Sequence, residues 1–399
     1  MNQIGEGASE TPRVGDSRLA SIDTLRGTAA LAVVVTHAFT QGPPPADAQW
    51  FRALRSVTGY GHLGVALFFV ISGFCIHLRA ARLAAVGGRT AQRVDFVSFW
   101  KRRMWRLYPP YFVVLCGSMA LVLAALWVEP DAARLAIYPK PTLKWIASDF
   151  IAHAFMLHGL IPTFDFAGGN SPLWSLAREE YLYLLYFPLL VALRRRGPAL
   201  TFFAVTILGM LTYAVGTHVL NLSGPALRTL SSSALVLWVQ WYLGAVAVEI
   251  YYGLVKVPPI LRSFLGAAMF AAVAIFVGDR FPIVDPLLWG LAFFCAVNAS
   301  AALEKAGRWP RRKLKVLAFT GAISYSLYLV HSPALAVLGW VVRRFISTSD
   351  PAMYTVVAIG LGGGSYLIAC LYFYLIERHF VTPRAHRQKV STVVPELQT

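Results

Sequence analysis

Apolar stretches of membrane-spanning length, each closed by proline, glycine or charge, recur along the whole chain. They begin near residues 22, 61, 108, 173, 199, 229, 260, 285, 316 and 353. About twenty apolar residues in an α-helix rise about 30 Å, the thickness of a bilayer's hydrocarbon core. The pattern predicts an all-α, polytopic membrane helix bundle of ten spans over residues 19–382, with mobile tails at residues 1–18 and 383–399. Residues 142–162 are the awkward stretch, long enough to span but interrupted by Lys144, Asp149, His153 and His158. They read best as an interfacial or re-entrant helix, because making them span would throw Arg194, Arg195 and Arg196 to the outside.

Composition supports the membrane class: 57% of residues are hydrophobic, 14% are charged and the mean hydropathy is +0.58. With the N-terminus inside, 26 of the 36 Lys and Arg residues fall in the cytoplasmic segments 1–26, 79–106, 194–198, 253–262, 304–315 and 378–399. Both termini are therefore expected in the cytoplasm. The net charge of +17 is accounted for by these juxtamembrane loops, which favour anionic lipid headgroups rather than nucleic acid. No phosphate-binding glycine loop or dinucleotide fingerprint occurs, which argues against ATP-driven transport and nicotinamide chemistry. Cys75, Cys116, Cys295 and Cys370 fall singly in apolar spans and suggest neither disulfides nor a metal site. Ala46-Asp47-Ala48 resembles a cleavage site, but it lies well past the apolar core of the first span, so that span is read as retained.

The polar residues inside the spans carry the chemistry. Arg26 and His37 are eleven positions apart on the first span, which puts them on one helical face about 16 Å apart along the axis. With Arg26 at the membrane surface, His37 lies near mid-membrane, where an imidazole needs a reason. Arg103 and Arg106 share a face just before the third span, in a run that also holds Trp105 and Tyr108. They serve as a topology anchor or, with Arg26, as a cytoplasmic phosphate clamp. Arg178, Glu179 and Glu180 enter the fourth span; the two carboxylates differ by about 100° and are not expected to face one site. Either one could pair with Arg178, and Glu179 is the candidate to orient His37. Tyr325, Tyr328 and His331 continue one face of a late span, for which interhelical hydrogen bonding is the default role. Glu377 with Arg378 reads as a snorkelling pair at the end of a span, and Gly360 with Gly364 as a close-packing surface.

In order, these features resemble the acyltransferase-3 family of integral-membrane O-acyltransferases over residues 18–380. The matching elements are Arg26, ten residues, then His37; Phe68-Phe69-Val70-Ile71-Ser72-Gly73-Phe74; Arg103-x-x-Arg106; Trp174-Ser175-Leu176 with Glu179; and Ser324-Tyr325-Ser326-Leu327-Tyr328-Leu329-Val330-His331. The chain departs at Glu377-Arg378-His379-Phe380, where the family often has proline two residues after the glutamate.

The resemblance implies transfer of an acyl group, usually acetyl, from cytoplasmic acetyl-CoA to a hydroxyl of a carbohydrate or glycolipid acceptor, in a bacterial inner membrane. No permanently bound cofactor or metal is implied. His37 would be the general base or a transient acyl carrier, with Glu179 as its catalytic partner. Arg26, Arg103 and Arg106 would hold the donor, with Asp23, Ser72, Trp174, Tyr325, Tyr328 and His331 as substrate or structural support. A neutral imidazole suits the deprotonation of a hydroxyl, which agrees with this reading on chemical grounds alone. The competing class is a proton-coupled exporter or glycolipid flippase, since buried His, Glu and Arg also build proton relays.

Overall fold

The computed structural model describes residues 19–41, 48–89, 94–128, 142–278 and 280–381. Among these residues there are helices and turns but no strand. In chain order the principal helices are α1 (Ala20–Ala38), α2 (Gln49–Gly59), α3 (Leu63–Gly87), α4 (Phe96–Val128), α5 (Leu143–Ala154), α6 (Trp174–Ala214) and α7 (Gly224–Ser231). They continue as α8 (Ala234–Tyr251), α9 (Phe264–Val277), α10 (Asp285–Lys305), α11 (Lys315–Ala322), α12 (Ser324–Val342) and α13 (Pro351–Leu375). Seven helical segments among the described residues are long and apolar enough to cross a membrane. These are Gln49–Gly87, Phe96–Val128, Ser171–Val219, Gly224–Tyr251, Asp285–Lys305, Ser324–Val342 and Pro351–His379. The polar residues of α1 keep it out of this set, and α9 falls short at 14 residues.

The segment read as two spans with a loop at 194–198 is continuous helix broken at one residue, Gly197. Its φ of 76° is a conformation glycine adopts without strain, and Pro198 restarts the helix. The chain doubles back there. Arg178 meets Ser232 and Tyr186 meets Trp241 before the break, whereas after it Tyr242 bonds Pro198 and Gly209 abuts Leu235. The first arm therefore runs with α8 and the second against it.

α8 is buried on nearly every side and forms the bundle's axis against α3, α6 and α10. Its contact with α3 is backbone to backbone: a Cβ on Gly73 would strike the Trp241 carbonyl, and one on Gly244 the Val70 carbonyl. Gly27 of α1 and Gly321 of α11 form a second such crossing, against the carbonyls of Leu317 and Asp23. Small residues permit this approach where packing, rather than hydrophobicity, holds helices together. Gly73→Val is expected to cost about 1–3 kcal/mol or more by forcing α3 off α8. A thermal unfolding midpoint in detergent equal to the wild type would refute that. Gly360 and Gly363, in contrast, face open space, and Gly364 meets only the Leu338 side chain. The expected close packing at this late glycine cluster is met at Gly364, where a Cβ would come within 2.9 Å of Leu338 of α12, though against a side chain rather than neighbouring backbone.

Residues 142–173 fold against the bundle. α5 has only 12 residues, and the chain turns at Met156, whose φ is 57°. Asp149, His153, His158, Asp165 and Asn170 are all buried. His153 and His158 stack with ring centroids 3.9 Å apart, and Asn170 Nδ2 donates to the Leu329 carbonyl at 2.8 Å. Burial, and then the neighbouring His153, hold the His158 imidazole well below its ordinary pKa and thus neutral.

Candidate functional site

α1 is fixed at its N-terminal end by Glu304 of α10. That carboxylate accepts from the Ala20 and Ser21 amides at 2.9 and 2.8 Å and from the Ser21 hydroxyl at 2.6 Å, satisfying amides a helix start leaves open. One turn on, Arg26 donates to Asp23 at 3.3 Å and approaches Cys75 Sγ at 3.2 Å. Arg103 lies over the rings of Tyr183 and Phe99, 5.3 and 5.8 Å from their centroids. Together with Arg106 these cations line a cavity of about 520 Å³ between α1, α3, α4, α6, α12 and α13, a size typical of small-ligand sites.

The other residues facing this space include Asp23, Ser72, Cys75, Glu179, Glu180, Tyr183, Tyr325, Tyr328 and Glu377. Glu179 and Glu180 thus share one cavity, contrary to the expectation from their 100° separation. A space enclosed by several helices subtends enough of α6 to admit both. Glu179 accepts from the Ser72 hydroxyl, which in turn receives the Trp241 indole N–H at 3.1 Å. Tyr325 donates to the Leu107 carbonyl at 2.6 Å. Glu377 is buried rather than snorkelling: it accepts from the Ser326 amide and hydroxyl at 3.0 and 2.5 Å and so caps the first turn of α12.

His37 lies outside this cavity, as do Trp174 and His331. No hydrogen bond or ion pair links His37 to Glu179. The expected partner is engaged by Ser72, and the His37 ring instead meets His331 edge-on, with centroids 4.9 Å apart. His37 Nδ1 bonds the Val33 carbonyl at 2.8 Å, which makes Nδ1 the protonated nitrogen and leaves the lone pair on Nε2. Tyr328 joins the two regions. Its hydroxyl bonds Ser175 at 2.6 Å and the Pro172 carbonyl at 2.8 Å; its ring faces Phe68 across the cavity and lies 5.6 Å from His331. Trp174 packs on Arg178 and Phe166. Arg178 is fully buried and pairs with Asp165, not with either glutamate.

Sequence reasoning passed over Cys75 and Tyr183. Both follow recognised residues at helical spacing, Ser72 by three and Glu179 by four, and that signal could have found them.

The described residues thus form a multi-pass helical bundle with three arginines gathered in one cavity and a histidine in the last turn of the first helix. Residues 19–374 match the acyltransferase-3 family, described as an acyltransferase domain, and the chain belongs to that family. It is 26% identical over 340 residues to the O-acetyltransferase OatA of Staphylococcus aureus, covering 79% of this chain and 50% of that protein. It is 31% identical over 191 residues to the acyltransferase MdmB of Streptomyces mycarofaciens, covering 47% and 42%. It is 28% identical over 225 residues to a peptidoglycan O-acetyltransferase of Listeria monocytogenes, covering 54% and 31%. The chain thus spans half the length of the Staphylococcus relative and less of the other two. No solved structure matches it significantly.

Proposed function

We propose that this chain is an O-acyltransferase of a bacterial inner membrane. It moves an acyl group, most simply acetyl, from cytoplasmic acyl-CoA to a hydroxyl of a carbohydrate or glycoconjugate such as peptidoglycan. The observation that carries the reading is the convergence of Arg26, Arg103 and Arg106 on one cavity. α1 runs from that cavity to His37, about 16 Å further on. Guanidinium groups match the phosphates of a CoA head, and the distance suits an extended thioester arm. Nε2 of His37 takes the acceptor's hydroxyl proton as the oxygen bonds to the thioester carbon; the C–S bond breaks and the sulfur leaves, to be protonated as free CoA.

Ten crossings with both termini in the cytoplasm fit this scheme. The reversal at Gly197 makes two crossings of one helical segment. α1, and α9 with its outward-facing Phe264, Leu265 and Phe276, supply the others beyond the seven apolar segments. The arginine cavity then opens to the side where acyl-CoA is made.

The reading is tested by free CoA release from acetyl-CoA with purified protein in liposomes, with and without a panel of sugar acceptors. Release that depends on His37 is expected. Its absence across the panel would move the case to the transporter class. Arg103→Ala is expected to raise the KM for acyl-CoA about 10-fold or more, the loss of one charge-assisted contact, with little change in the acceptor's KM. An equal rise in both would count against a donor clamp.

A further inference from the structure

The two imidazoles are matched in an unusual way. His331 is fully buried on α12, and its Nδ1 faces its own helix, 2.8 Å from the Tyr328 carbonyl and 3.1 Å from that of Leu327. Nδ1 therefore carries the proton, and Nε2 is a lone-pair acceptor turned away from α12. That Nε2 is buried and has no hydrogen-bond partner. Buried polar atoms are nearly always satisfied, so an orphan beside a reactive group calls for an explanation. His37, one ring contact away, has its Nδ1 committed to Val33 and likewise presents Nε2 as its free nitrogen.

We propose that His331 is a positioning residue that acts through His37, its Nε2 accepting a hydrogen bond from His37 only after His37 has taken up a proton. The inference rests on the acyl-transfer reading above. A charged imidazole at this depth needs an acceptor, and no carboxylate is bonded to His37 among the described residues. With both rings neutral, the buried Nε2 of His331 has no donor and the pair gains nothing. When the acceptor's O–H bond breaks and an N–H bond forms at Nε2 of His37, that oxygen bonds to the acyl carbon and loses its hold on the proton, and the orphaned nitrogen of His331 becomes the acceptor of the new N–H. The proton stays with the imidazole pair while the acyl carbon–sulfur bond breaks, and passes to the departing sulfur as it becomes the thiol. An interaction present in the charged state and missing from the resting state lowers the barrier rather than strengthening substrate binding.

The test compares His331→Phe with His331→Gln by steady-state CoA release in liposomes, varying acetyl-CoA and acceptor separately. Phenylalanine keeps a packed ring without the acceptor; glutamine restores an acceptor oxygen. The expected result is a kcat about 10- to 100-fold lower for His331→Phe, the loss of a hydrogen bond to a charged group, with both KM values within about two-fold of wild type. His331→Gln should recover most of that loss. A phenylalanine variant that turns over like the wild type, or a glutamine variant no better than phenylalanine, would overturn the inference. Should His331→Phe not reach the membrane, His331→Leu takes its place in the same comparison. Absence of CoA release by the wild type across the acceptor panel would instead sink the acyl-transfer reading, and wild-type turnover by His37→Ala would take His37 out of the chemistry and this inference with it. An inactive His37→Ala beside an unimpaired His331→Phe would remove this inference alone.

Discussion

His37→Ala is expected to lower acyl transfer by about 10²- to 10⁴-fold, the usual worth of a positioned general base, while the protein still inserts and binds acyl-CoA. A hydroxyl is a poor nucleophile until its proton has somewhere to go, and on α1 only His37 offers an unprotonated ring nitrogen. The side chain is partly exposed, and its one hydrogen bond is to Val33 within α1, so its removal breaks no hydrogen bond between helices and gives up only the ring contact with His331. Loss of activity with an unchanged unfolding midpoint is the expected pair of results. Turnover at the wild-type level would take His37 out of the chemistry. Restoration of part of the rate by added imidazole would support a base over an acyl carrier, since a diffusible base replaces a proton acceptor more readily than a covalent attachment point.

What the sequence could disclose follows from what a helix fixes. Spacing of 3.6 residues per turn joins Arg26 to His37, Arg103 to Arg106 and Tyr328 to His331 without any knowledge of neighbours. Those relations are visible in the residues alone, as is the helical class. Spacing is silent about which helices touch and at what height. That register is set by contacts such as Gly73 on Trp241 and Gly27 on Leu317, where two backbones meet. Glu179 therefore turns out to be bonded to Ser72 of α3, and His37 to adjoin His331 of α12, partners 107 residues away in the first case. Glu377 escapes the sequence for the same reason. Next to Arg378 it looks like the end of a span, but the Ser326 amide of α12 that it caps lies 51 positions earlier.

The segment between α4 and α6 shows the limit in another form. Asp149, His153 and His158 read as interruptions of a span, yet they are buried and partnered, as is Asp165 further on. Asp165 is the clearest test of that. Both its oxygens take Arg178 Nη2, at 2.8 and 2.7 Å, and Thr229 adds a third bond at 2.7 Å. Arg178 is wholly enclosed, with Nε on the Ser232 carbonyl at 2.9 Å and Gly159 packed against Nη1. Asp165→Ala would leave a guanidinium in that enclosure without its counter-charge, at an expected cost of about 3–5 kcal/mol. The cost should appear as a fall in the unfolding midpoint of the purified protein. Arg178→Leu added to Asp165→Ala should recover part of it, because the charge that lost its partner is then gone as well. A single variant as stable as the wild type would mean that water reaches Arg178 and that residues 142–173 lie loosely on the bundle. A double variant less stable than the single one would mean that Arg178 holds the helices through Ser232 and Trp174 more than through its charge.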